Sequence, residues 1–558
     1  MDWIKKNTLS LDEAKLLMDA SGGDLCITHS DLEALPDGLS VKGNLIISDT
    51  LVSELPDNLF VGKDLYINDT PVEKLPKGLT VKGSLNASYT RISELPDDLF
   101  VGDSLDISHT EIKKLPDKLT INGNLDISNS EIKRLPKGLT VKRDLLACNT
   151  KIAELPSDLV LGRSLYIRNT SIIKLPDNLV IKGDLVISDT PVTELPDNLV
   201  VEGNLAISKT KIAELPDSLI INGGLIASHT PISELPDNLT INGTLVISST
   251  FIKRLPKGLF VRGTLDISNT SIKELPDDLV FKGGLNISNT LITELSENLI
   301  ISGFLQISNT KICKLPNGLI AECGLCIHDI PIKKLPDDLI VGGDLEIFDT
   351  PVTKLPDNMV IGGSLNLHGL RIKELPENLV VRGSIDISNT KIKKLPENLA
   401  AGGIVISKTI LPKPRRLTKG EYVEGRYLFA DGILTHVRKK KQAGNYTLYI
   451  GKIPGRNVIS DGKYFVHCDK FKDGISDLLF KAAEDRGADQ YKGMSLDTQL
   501  TVEEAVTMYR IITGACRQGS ESFVRSLGRL KEKYTVRECV ELTKGQYGSE
   551  KFMQFFGL

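Results

Sequence analysis

Three stretches of the chain hold residue types that could make or break bonds. His467, Cys468 and Asp469 stand together at the end of a predicted strand, and Cys516 lies in ITGACRQGS beside Arg517, between two predicted helices. A thiolate near a cation or a helix start has a lowered pKa, and a Cys–His pair is the minimum for thiol acyl transfer. Cys516, His467 and Asp469 are therefore the catalytic candidates. The plainer account is a buried Cys516 and a His467 at a hairpin end, because free cysteines are often simply buried. Cys323-x-x-Cys326 with His328 is the one metal-like spacing. Cys326 is expected to face outward, Cys323 replaces a corner Gly, and no fourth ligand is evident, so neither a metal nor a cofactor is expected. No phosphate-binding loop and no Gly-x-Ser-x-Gly elbow occurs.

The elements that would carry these residues are dominated by a repeat. Leu-Pro recurs every 20 residues from Leu35-Pro36 to Leu395-Pro396, 19 times, with Ser296 the only replacement of the Pro. Such a period means like units stacked along an axis, each burying its apolar residues against its neighbours. Counted from the Leu of Leu-Pro, the unit reads LPxxLxVxGxLxIxxTxIxx. Its apolar positions 5, 7, 11, 13 and 18 fall mostly in period-two pairs, a strand signature, while Pro at 2 and Gly at 9 mark corners. No stretch within a unit is long enough for a helix. All units advance in one direction, so strands pair in parallel between coils at a rise of about 4.8 Å, giving a rod or arc on the order of 90 Å long. Thr at position 16, as in Thr50 and Thr190, is expected to form a ladder of hydroxyls at a corner.

Read as LxIxxTxIxxLPxxL, the unit resembles the short bacterial leucine-rich repeat, with Leu185, Ile187, Thr190, Val192, Leu195 and Pro196 on the matching positions. Thr stands where that family has Asn, and VxG precedes the strand where it has Leu. The resemblance covers residues 23 to about 410. It implies a bacterial or phage array that binds another protein, with a component of bacterial or host immunity as the implied target. The fold class is mainly β: an elongated parallel β-solenoid, leucine-rich-repeat-like, with a C-terminal α+β domain.

Both ends of a solenoid need covering. Ser10 to Glu13 reads as a capping box opening a helix over residues 10–20, with Leu11, Ala14, Leu16 and Leu17 facing the first coil. The domains are thus an N-terminal helical cap (1–22), the repeats (23–410), a Pro-rich basic linker (411–419) and a C-terminal module (420–558). In that module Asp431-Gly432 and Asp461-Gly462 read as two-residue hairpin turns, which with Tyr446–Ile450 make a meander of four to five strands. Helices are expected at about 470–486, 501–513, 519–531 and 535–544. Arg438 to Lys441 is placed at a strand end or turn.

If stacking settles the buried positions, information for a partner lies in the outward ones. Position 12, between inward residues 11 and 13, is the clearest outward column. It carries six consecutive apolar residues, Leu146, Tyr166, Val186, Ala206, Ile226 and Val246, with Asp106 and Asp126 before them and Asp266 and Asn286 after. At about 4.8 Å per coil they form a stripe roughly 24 Å long, and such a patch rimmed by polar groups marks an interaction surface. Position 14, Ser in most coils, departs at Cys148 and Arg168 and again at His328, Phe348 and His368. Two coils separate the two His, about 10 Å, too far for one ion, so these are binding candidates.

Composition sets outer limits. The 558 residues are too many for one compact core, aromatic content is only 5%, and Trp3 is the single Trp. Residues from 411 onward hold 26 Lys and Arg against 18 Asp and Glu, a formal +8, which leaves −12 for the rest. The opposite signs suggest two modules. With no signal-like or membrane-length apolar run and eight scattered Cys, a cytoplasmic protein in a reducing compartment is expected. The leading function is a protein-binding scaffold. The alternative is a modular effector whose C-terminal domain is a Cys/His enzyme, and a third reading is homo-oligomerisation through the stripe. Nucleic acid stays open as a partner only through the charge of the C-terminal module, since no aromatics interleave its basic run. A membrane is not an expected partner.

Overall fold

The computed structural model describes residues 7–407, save 178, 298 and 358, and most of 422–558; residues 408–421, 424–426, 431–432, 454–456, 516–519, 521–522, 525–526, 528–529 and 547 lie outside the description. The 411–419 linker, the Asp431-Gly432 turn, Cys516, Arg517 and most of the expected 519–531 helix fall there. The backbone divides into two compact units, Met1–Pro316 with Ile327–Pro331, and Asn317–Cys326 with Ile332–Leu558.

In the first unit each 20-residue coil holds two strands of about two residues, at positions 6–7 and 11–12, as in Val180–Ile181 and Leu185–Val186. The strands at 11–12 pair in parallel with the equivalent residues of the next coil all along the unit, as Leu185 with Leu205, whereas those at 6–7 pair in separate runs of three or more coils, as Ile181 with Val201. The register never slips, because the inward residues at 1, 5, 7, 11, 13 and 18 must meet their equivalents. Leu185, Ile187, Val192, Leu199 and Val201 are all fully buried. A one-residue slip would turn the core outward.

Three further devices close the coil. Position 15 takes the left-handed conformation throughout, with φ of 46–60° at its non-glycine residues, which suits the Asn and Asp that usually occupy it. The position-16 Thr corrects the expected hydroxyl ladder: Thr190 Oγ1 donates to the Ile187 carbonyl of its own coil at 2.6 Å, and Thr50 to that of Ile47 at 2.8 Å. Most of these Thr close their own turn in this way rather than bridging to a neighbour, whereas Thr350 Oγ1 is buried without a partner among the described residues. The ladder that does run between coils sits at position 10. There Asn44, Asp64, Asn124 or Asp144 accepts from the backbone N–H of the same position one coil on, at 2.7–3.1 Å. The corner Gly permits this closeness, since a Cβ on Gly83 would lie 2.2 Å from Asp64 Oδ1.

The cap helix is present as Leu11–Ala20. Ser10 Oγ accepts from the Glu13 N–H at 3.3 Å and the Ser10 N–H donates to Glu13 Oε2 at 2.9 Å. Ala14 is buried, but Leu16 points to solvent at 70% exposure, so the covering face is narrower than expected.

In the second unit the same ladders continue, for example Leu345 with Leu365 and Ile385 with Val405. An antiparallel meander follows, of six strands: Tyr422–Val423, Tyr427–Ala430, Ile433–Ala443, Tyr446–Ile453, Asn457–Ser460 and Phe465–Cys468. Arg438 to Lys441 lies inside the long third strand, exposed, and not at a turn. The Asp461-Gly462 connection takes four residues, Ser460 pairing with Phe465, because Asp461 Oδ1 accepts from the Lys463 and Tyr464 amides. Helix Phe471–Arg486 packs on the last two strands. Helices Val502–Thr513, Val536–Leu542 and Ser549–Phe555 enclose a core around Met508, Ile512, Val540 and Phe552.

Candidate interaction surface

Local geometry places the apolar stripe. In each two-residue strand at positions 11–12 the first side chain is buried and the second points away from the core, so Leu145, Leu165 and Leu185 go in while Leu146, Tyr166 and Val186 go out. The six outward residues pair directly: Leu146 with Tyr166, Tyr166 with Val186, Val186 with Ala206, Ala206 with Ile226, and Ile226 with Val246. Five are half-buried against one another, and Ile226 is 40% exposed. Asp126 pairs with Leu146 at one end and Val246 with Asp266 at the other, so carboxylates bound the run.

Charge around the stripe is mostly settled within it. Arg168 Nε donates to Asp189 at 2.9 Å, Lys209 reaches the same carboxylate at 3.5 Å, and Arg163 meets Asp144 at 3.6 Å. The Tyr166 hydroxyl donates to Asp184 at 3.2 Å, and burial, with Asp184 beside it, pushes its pKa up. Burial does the same to the Cys148 thiol. Asp126 also sits above the usual carboxylate range, first because it is buried and then because Asp106 lies beside it; the Ser128 N–H it accepts and His109 pull the other way.

The remaining candidates disperse. His368 bonds to the next coil, Nδ1 to Ser388 at 2.8 Å and Nε2 to Asn389 at 3.1 Å. His328 and Phe348 are half-buried on their strands. Burial and Glu346 raise the Cys326 thiol to about 11. Among the described residues no group of three or more His, Cys, Asp or Glu is arranged to hold a metal ion. In the C-terminal module Nε2 of His467 lies 2.7 Å from the buried Thr435 hydroxyl, and burial holds the neighbouring Cys468 thiol at about 11, so it is no thiolate at neutral pH.

Three surfaces escaped the sequence analysis. Position 6 is a second outward column, with Val160, Val180 and Ile220 about half exposed and Val280 and Ile300 nearly so. Aligning the units shows Val, Ile, Phe or Thr there almost throughout, so its apolar character belongs to the coil, whereas the position-12 stripe is confined to a few coils. The Leu-Pro corners of the early coils line a polar groove of about 1270 Å³ in which Glu54, Lys74, Glu94 and Lys114 alternate in sign. The C-terminal helices border an apolar cavity of about 410 Å³ beside Ala505, Tyr509 and Leu542.

Coil by coil, this is a leucine-rich-repeat-like parallel β-solenoid. No family model matches the chain, and no curated protein does. Among solved structures, YopM from Yersinia enterocolitica is similar at 22% identity, covering 73% of this chain and 93% of that one, with a TM-score of 0.46. A second, described as a leucine-rich effector protein from Yersinia pestis, is similar at 18% identity over 71% and 92%, with a TM-score of 0.32. The solenoid assignment rests on the strand register.

Proposed function

We propose that this chain is a protein-binding scaffold that recognises a partner through the outward columns of its repeats, foremost the stripe from Leu146 to Val246. One observation carries the reading: six apolar side chains stand in register on the solvent side of consecutive strands, on a face that turns to Asp and Asn on either side. An apolar run confined to a few coils of a column that is otherwise largely polar is the mark of an interaction surface. Tyr166, Leu146 and Ile226 are the expected anchors, since large apolar side chains dominate such contacts. Arg168 at the margin adds a polar contact, and His328, Phe348 and His368 form a lesser candidate patch. The setting we infer is conflict between a bacterium and a host or phage, with the protein acting in the cytoplasm; the leucine-rich-repeat resemblance supports that setting.

The test is affinity capture from the native cell with the wild type and with Tyr166→Asp/Val186→Asp. Asp occupies position 12 naturally at Asp106, Asp126, Asp266 and Asp386, so the variant keeps its fold. One specific partner is expected to be lost, and to be retained by Val180→Thr/Ile220→Thr in the position-6 column. A partner list unchanged by the Asp pair would refute the placement.

A further inference from the structure

We propose that the partner lays on this stripe an amphipathic α-helix of about 20 residues, with a basic side chain at the end that rests over Asp106 and Asp126. The inference rests on the scaffold reading and adds the chemistry of the occupant. Spacing selects the helix. Anchoring residues on the stripe recur at about 4.8 Å. A helix running along the stripe offers one apolar residue per turn of about 5.4 Å, so six anchors accumulate a mismatch of only about 3 Å. An extended segment offers a side chain on one face only every 6.6 Å or so, and six of them would overrun the roughly 24 Å stripe by about 9 Å. Relief agrees: Ala206 makes a low centre between the bulkier Tyr166 and Ile226, where a helix backbone can come close.

Charge selects the basic end. Asp144 and Asp189 already have Arg or Lys partners. Asp106 and Asp126 stack directly in the ladder with no Lys or Arg within ion-pair distance among the described residues. Their local contacts are backbone amides: Asp106 Oδ1 accepts from the Ser108 N–H at 3.0 Å and Asp126 Oδ1 from the Ser128 N–H at 2.9 Å. A pair of neighbouring carboxylates at the edge of an apolar surface thus stands without a Lys or Arg of its own, and a ligand's cation would supply one.

The experiment is selection of a displayed random peptide library, about 22 residues long, on the purified full chain. Enriched peptides are expected to show apolar residues at helical spacing with Lys or Arg at one end. They should bind about tenfold more weakly to Asp106→Asn/Asp126→Asn, whose Asn is native at the same position in Asn86, and not detectably to Tyr166→Asp/Val186→Asp. Enriched peptides with alternating apolar residues, or without a basic end, would overturn the helix while the stripe remains a site. Binding indifferent to Tyr166→Asp/Val186→Asp would overturn the scaffold placement itself. An empty selection, or a dimer by light scattering that the Asp pair dissociates, would overturn the helical occupant in favour of another partner or a second copy of the chain.

Discussion

At the scale of single residues, two groups with chemical promise behave differently once placed. Cys468 lies beside His467 in sequence, yet burial and the surrounding carboxylates hold its thiol protonated at neutral pH, and an unreactive thiol makes no nucleophile. Asp126, read from the sequence only as a polar boundary of the stripe, has its pKa raised by burial. Its folded form therefore holds a proton more tightly than the unfolded chain does. The site's contribution to stability falls as pH rises from the unfolded value through the folded one. Asp126→Asn keeps an acceptor for the Ser128 amide, as Asn86 does for Ser88. The variant should therefore be more resistant to urea than wild type at pH 7, with the difference vanishing near pH 3; equal midpoints at both pH values would contradict this.

Between residue and molecule stands the coil. The position-10 ladder gives most coils an acceptor for a backbone amide of the next, with Gly224, Gly284, Phe304 and Gly324 the exceptions, and Asn124→Ala removes one. The Asp144 amide then loses its partner, at a cost of about 1–3 kcal/mol for a partly buried donor. Because repeats respond locally, the readout is hydrogen exchange at Asp144, which should speed up markedly in Asn124→Ala and little in Asn124→Ser, since Ser104 and Ser164 fill the same role. Equal exchange in all three would refute the ladder. The period itself, the parallel pairing, the cap at Ser10 and the helices near 471–486, 502–513 and 536–542 were legible because each depends on a repeated or local signal. The ladder was not, because Asp, Asn, Ser and Thr differ in type while supplying the same oxygen. Helix Ser549–Phe555 was missed because it is one short element entered from Gly548, with no side-chain cap to announce it. The stripe could be read in advance since position 12 alternates with buried residues; the position-6 column hid behind its ordinary β-branched composition.

Across the whole molecule, identical coils divide labour between two kinds of position. Inward residues repeat because each must meet its equivalent 20 residues on, and any freedom to vary is left to the solvent side. On the proposed scaffold reading, recognition resides in departures from the repeat, and the longest uninterrupted apolar departure on the position-12 face runs from Leu146 to Val246. The most direct measurement places a photo-crosslinking amino acid at Tyr166, at Ile226 or at Val180 of the full chain in its native cell and identifies the adducts by mass spectrometry. The same partner attached from Tyr166 and Ile226, and absent from Val180, is the predicted result; no adduct from the stripe, or the partner captured from Val180 alone, would contradict it.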